Sequence, residues 1–166
     1  MIGSGLGEQS PAKIGESSIL SLDSVTAPLL RETIAYWRSK TPAGHPFPAR
    51  SHIDPLDVPH LLQNLALAEV HRTPELRFRF RVFGSALSET FRLEASGKWV
   101  TVEAIGSIAP HIHADFVQII ETGLPRAIHS FAQQPGRDHV RYQVIDLPLG
   151  TPEDGVTMIL SCLERS

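Results

Sequence analysis

The chain has 166 residues, of which 42% are hydrophobic and 20% charged, with a net charge of −3. Such a chain makes one globular domain that can bury a core without staples, and the mildly acidic balance argues against a nucleic-acid partner, which needs a basic surface. The one cysteine, Cys162, has no partner for an internal disulfide, so packing alone must hold the fold, as suits a reducing compartment.

Residues 1–21 are rich in Gly, Ser, Glu and Lys and poor in apolar surface. They are expected to be a flexible tail ahead of a domain spanning 22–166, because ordering them gains too little burial to offset the entropy lost. The start has neither a basic region nor an apolar run, so it does not read as a signal peptide. No stretch approaches the roughly 20 apolar residues that cross a bilayer. A cytoplasmic location with no membrane partner is expected. Gly3, Gly5 and Gly7 follow no strand and open no helix, so they make no phosphate loop.

The first firm element is an amphipathic helix over 24–40, capped by Asp23 or Ser24, with Val25, Leu29, Leu30, Ile34 and Trp37 at helical spacing. Its apolar stripe needs a partner, either its own domain or a second copy. A proline-rich loop over 41–52 follows. Asp54 then serves as an N-cap with Pro55 at the first helical position and Asp57 in the first turn, which predicts a short helix. Strands are expected over 65–72 and 76–84, joined across Thr73-Pro74-Glu75. The second alternates Leu76, Phe78, Phe80 and Val82 on one face with Arg77, Arg79 and Arg81 on the other, the pattern of a half-buried antiparallel strand. Helices are expected over 85–91 and 110–122, with a short turn over 102–105 between them, and Gly123 and Pro125 stop the longer one. Three strands close the chain over 126–133, 139–147 and 156–164, the last two joined by a longer turn over 148–155.

That order predicts an α+β fold. A five-stranded antiparallel sheet carries a helical insert after its second strand, and the N-terminal amphipathic helix meets the other face. A sheet covered by short crossing helices leaves room for an interior cavity. The run from Tyr36-Trp37 through Arg50 and Asp54-Pro55 to Leu61-Leu62 is distinctive, as is Arg77-Phe78-Arg79-Phe80-Arg81-Val82-Phe83-Gly84-Ser85 ahead of Phe91 and Gly97-Lys98. Together they resemble the bacterial PAS-type family of short, often single-domain proteins first catalogued as a domain of unknown function (PAS_5-like). The resemblance covers about residues 30–160. Phe80 stands for the usual Tyr, Ser85 for the usual Thr, and Leu93 where a Gly often follows the Phe. It implies a PAS-like fold and a sensor module that binds a small ligand, dimerises or contacts a signalling partner. It brings no family-wide ligand, so the cofactor stays unknown, and no catalytic residue.

The residues themselves add little enzyme chemistry. There is no nucleophile elbow, phosphate loop or zinc-protease motif, and Cys162 falls in a strand, as a core residue. Among eight histidines, His111 and His113 would diverge on a helix, so no metal site is expected. His113 and His129 are the conceivable haem ligands. Candidate pocket residues are Phe80, Val82, Phe91 and Trp99 from the first half, and Phe116, Ile119, His129 and Tyr142 from the second. The row Arg77, Arg79 and Arg81 reads either as a solvated face balanced by acids such as Glu69 and Glu32, or as a docking surface for an acidic partner or anion. The expectation is a non-catalytic PAS-type sensory or regulatory module acting through a homodimer or a signalling protein. The alternatives are a ligand-free interaction adaptor and, third, an enzyme of a cone-shaped α+β fold, which an acid of raised pKa at the base of a pocket would favour.

Overall fold

The computed structural model describes residues 12–136 and 139–166. Its elements run β1 (Lys13–Ile14), β2 (Ser18–Leu20), α1 (Pro28–Lys40), β3 (Leu65–His71), β4 (Arg77–Phe83), α2 (Ser85–Phe91), α3 (Val102–Ile105), α4 (Ala109–Thr122), β5 (Arg126–Gln133), β6 (Val140–Thr151) and β7 (Gly155–Arg165). Tight 3-10 turns, among them Pro55–Asp57 and Pro59–Asn64, fill the long connection from α1 to β3. Asp54 caps the first of these, its carboxylate accepting from the Leu56 amide at 2.9 Å.

One antiparallel sheet runs in the order β1-β5-β6-β7-β3-β4, with β2 also paired to β5. Among the described residues the sheet therefore has seven strands, not five. β1 and β2 lie along β5, whose outward backbone groups would otherwise form an open edge. Ala12 is fully buried and its amide donates to the Phe91 carbonyl at 2.9 Å. The flexible tail expected to reach residue 21 is thus replaced by docked chain from residue 12 onward; residues 1–11 lie outside the described residues. Composition missed this because the pairing rests mainly on backbone groups, with only Ala12, Ile14 and Leu20 adding apolar contacts.

α1 starts at Pro28 rather than at residue 24, because proline disfavours helical backbone in the residue before it. β6 runs on to Thr151 and β7 starts at Gly155, so the expected long turn is a tight one. Pro148 is tolerated within β6 because β5 reaches only as far as Asp146, which leaves that flank without a strand to receive its missing amide. Gly150 marks a register shift in this hairpin, and a Cβ there would stand 1.9 Å from the Gly155 carbonyl oxygen. Gly150→Ala is expected to cost about 1–3 kcal/mol or more through overpacking against backbone, read as a lower urea midpoint.

The molecule has three layers. α1 lies on β6 and β7 and contributes Leu30, Ile34 and Trp37 to the core. The Trp37 indole donates to the Pro148 carbonyl at 2.9 Å, tying the helix to β6. Alternation along β6 and β7 puts Ile145 opposite Cys162 and Leu147 opposite Leu160 on this outer face, and Asp146 opposite Ser161 on the inner face, under α4. Among the described residues no helix is long and apolar enough to cross a membrane.

Candidate functional site

Between the inner face and the helices α2 and α4 lies a partly open cavity of about 180 Å³. Its apolar side is aromatic. Phe80 and Phe83 pack edge to face, Phe116 reaches Phe80, and the Phe91 ring meets Tyr142 at 5.3 Å. Leu87 of α2 and Ile112 of α4 complete that wall. Offset and edge-on arrangements of this kind bury large area while leaving ring edges and faces open to a guest.

The polar side holds Asp146, Ser161, Asp115, His111, Ser17 and Tyr142. Asp146 is 5% exposed. Ser161 Oγ donates to its Oδ1 at 2.6 Å, and no other donor reaches the carboxyl among the described residues. Burial pushes its pKa up to about 7, against the help of that hydroxyl. Asp115, on α4, accepts from Arg126 Nε at 3.0 Å; burial raises it and Arg126 opposes the rise. Arg126 stands directly across from Asp146 in the β5–β6 ladder, yet its guanidinium pairs with Asp115 instead. Burial lifts the Tyr142 hydroxyl to about 12, with Ser130 beside it. Ser17 Oγ donates to Ser130 Oγ at 3.0 Å, so the docked N-terminal segment closes this end.

Of the eight residues expected to line a pocket, Phe80, Phe91, Phe116 and Tyr142 do so. Val82 does not. β4 carries an extra residue where Leu67 pairs with Val82 and Ala68 with Phe80, so the alternation breaks at Arg81 and Val82 turns to the outer face. Trp99 lies outside the cavity, 4.1 Å beneath the Arg77 guanidinium. Ile119 is fully buried in the core below the cavity wall. His129 has the opposite parity to the cavity-lining Ile128 and so faces the other side of β5. His111 lines the cavity, while His113 meets Phe78 edge to face at 5.3 Å, as residues two apart on a helix must diverge. Among the described residues no three His, Cys, Asp or Glu side chains gather at metal-holding distance. Cys162 is buried beside Thr33, and burial lifts its thiol to about 12.

The arginine row has partners within the chain. Arg77 lies over Trp99, Arg79 Nε donates to the Gly97 carbonyl at 3.0 Å, and Arg81 pairs with Glu69 at 3.5 Å. Glu32 takes no part, being bonded to His60. The loop carrying Trp99 also covers the β4 edge, with Phe80 N–H donating to Lys98 O and Val100 N–H to Phe78 O, each at 2.9 Å. A second, apolar hollow of about 290 Å³ opens on the outer face among Tyr36, Val58, Leu61, Leu65, Val82 and Leu160. Leu62 and Val82, at its rim, are 42% and 47% exposed.

Five of these strands, in the order β5-β6-β7-β3-β4 with helices crossing between β4 and β5, make a curled antiparallel sheet that cradles a cavity, the arrangement of a PAS sensory or regulatory module. A family described as PAS domain (PAS_5) matches residues 25–164, and the chain belongs to that family. No curated protein and no solved structure matches the chain.

Proposed function

We propose that this chain is a non-catalytic sensory or regulatory module that holds a small ligand in the inner cavity and passes its occupancy to a protein partner or a second copy of itself. The observation that carries this reading is the cavity itself: an aromatic wall facing a buried carboxyl with one oxygen uncommitted. Its size also sets the scale of the guest. Pockets for drug-sized molecules run to roughly 300–1,000 Å³, whereas a void of about 150 Å³ takes benzene. At about 180 Å³, this cavity suits a single ring or a short chain. A ligand that binds one packing of α4 on the sheet better than another shifts the population toward it, and α1 on the far side of β6 and β7 is placed to report the shift.

Native mass spectrometry beside the denatured mass tests this directly, with Ile112→Trp as the comparison. Ile112 lines the cavity and is partly buried, so an indole there fills the space without breaking a hydrogen bond. The expected result is a small molecule retained by the natural sequence and lost from Ile112→Trp, with thermal stability unchanged or raised. Equal occupancy in both would remove the cavity from the argument. An empty cavity in both would favour the second reading, a ligand-free adaptor, which the outer apolar hollow with exposed Leu62 and Val82 supports. Turnover of the retained molecule would favour an enzyme, for which an acid titrating near neutrality is a suitable general acid–base.

A further inference from the structure

The charges around the cavity do not balance. β6 contributes Asp146 and Tyr142, α4 contributes Asp115 and His111, and β5 contributes Arg126. β7, β4 and α2 bring only Ser161 and apolar side chains such as Phe80 and Leu87. The docked N-terminal segment brings Ser17. Arg126 is the one guanidinium within this set, and it is bonded to Asp115. Among the described residues Asp146 therefore sits at the polar end with a single hydroxyl donor and no ion-pair partner, Arg126 acting on it only through space, although it is nineteen-twentieths buried. A buried carboxyl in that state is costly unless it stays protonated or acquires a positive partner.

We propose that the cavity takes a small organic cation, with a primary ammonium group seated between the free oxygen of Asp146 and the Tyr142 ring, and a single-ring or short aliphatic body among Phe80, Phe91 and Phe116. This rests on the reading that the cavity holds a ligand, and it names that ligand's class. Three features converge on it. The ammonium supplies the missing charge and donates to the oxygen that Ser161 leaves open. The aromatic wall presents ring faces and edges within one cavity, and ring faces attract cations once water is excluded. An anion would meet Asp115 and Asp146 together, with Arg126 already engaged. Binding moves one proton: the Asp146 carboxyl gives its proton to solvent as the ammonium takes its place, so affinity for a cation rises with pH as the acid ionises. A neutral hydrogen-bonding guest would show the opposite trend, because it uses the protonated acid as a donor.

Isothermal titration of the full chain with benzylamine and with benzyl alcohol, at about pH 8 and about pH 5.5, tests the proposal. At the higher pH benzylamine is expected to bind at least about tenfold more tightly than the alcohol, and to weaken on acidification while the alcohol does not. Asp146→Asn keeps an oxygen to accept from Ser161 and is expected to bring the two probes within about threefold of each other. Should that variant fail to fold, the pH comparison on the natural sequence decides alone. Alcohol binding as tight as amine binding, or tighter, overturns the cation assignment and leaves a ligand cavity standing. Failure of both probes at millimolar concentration overturns the cation assignment, while the native mass comparison with Ile112→Trp decides the cavity reading separately. Loss of both in Ile112→Trp supports it by placing the amine in this cavity.

Discussion

Trp37→Ala is expected to lower folding stability by about 3–5 kcal/mol, a large part of the roughly 5–15 kcal/mol a domain possesses. Trp37 is 5% exposed and sits where α1 crosses β6. Its removal leaves a void between two layers that the rest of the helix holds apart, and it deprives the Pro148 carbonyl of its indole donor. That carbonyl lies past the end of β5, so no neighbouring strand replaces the donor. Trp37→Phe separates the two contributions, since it keeps most of the packing and loses the hydrogen bond, at a cost of about 1 kcal/mol for the bond. Urea unfolding of the three proteins measures both. A loss under about 1 kcal/mol for alanine would mean that α1 is not fastened to the sheet in this way.

The second large effect is a pH dependence opposite to that of most carboxylates. The Asp146 pKa stands at about 7 in the folded chain against an ordinary 3.8. Below 3.8 both states hold the proton and nothing is lost. Between 3.8 and about 7 the unfolded chain releases its proton while the folded chain keeps it, so stability falls as pH rises through this window and levels off above it. The span of the shift corresponds to something on the order of 4 kcal/mol. Asp115, also raised by burial, pushes the same way, whereas Asp57 is held low by the Tyr36 hydroxyl and Glu94 by the Ser96 amide, and these push the other way. The comparison with Asp146→Asn cancels those common contributions. The asparagine variant is expected to gain on the natural sequence steadily from about pH 4 to about pH 7 and to be the more stable of the two at pH 8. Stability curves that run parallel across that range would show that the Asp146 carboxyl is solvated.

Much of the fold was legible because its signals are periodic. The alternation in β4 and the spacing of Phe116 and Ile119 on α4 report burial directly, and Asp54-Pro55 announces a turn start by its own chemistry. The signals that failed are the ones side-chain pattern does not carry. Nothing in Arg81-Val82-Phe83 marks the extra residue that turns Val82 outward, because a bulge is a matter of cross-strand register. Likewise Lys13–Ile14 and Ser18–Leu20 pair through backbone groups that every sequence possesses. The aromatic half of the cavity was readable, since Phe80, Phe91, Phe116 and Tyr142 are large and strongly patterned. The polar half carries one sign in the sequence. Asp146 stands in Val144-Ile145-Asp146-Leu147, a lone acid in an apolar strand, where aspartate is disfavoured without a specific reason. Its partners Ser161 and Asp115 lie fifteen and thirty-one positions away, and only the folded chain brings them to it.

The hairpin of β6 and β7 is a wall one residue thick with different tenants on its two sides. Asp146 and Ser161 look into the aromatic chamber, while their immediate neighbours Ile145 and Cys162 look toward α1. A displacement at the carboxyl has a single peptide unit to cross before it reaches the seat of the helix, with no relay of intervening side chains. In such a partition, the cavity side and the helix side are neighbouring letters of the same strand.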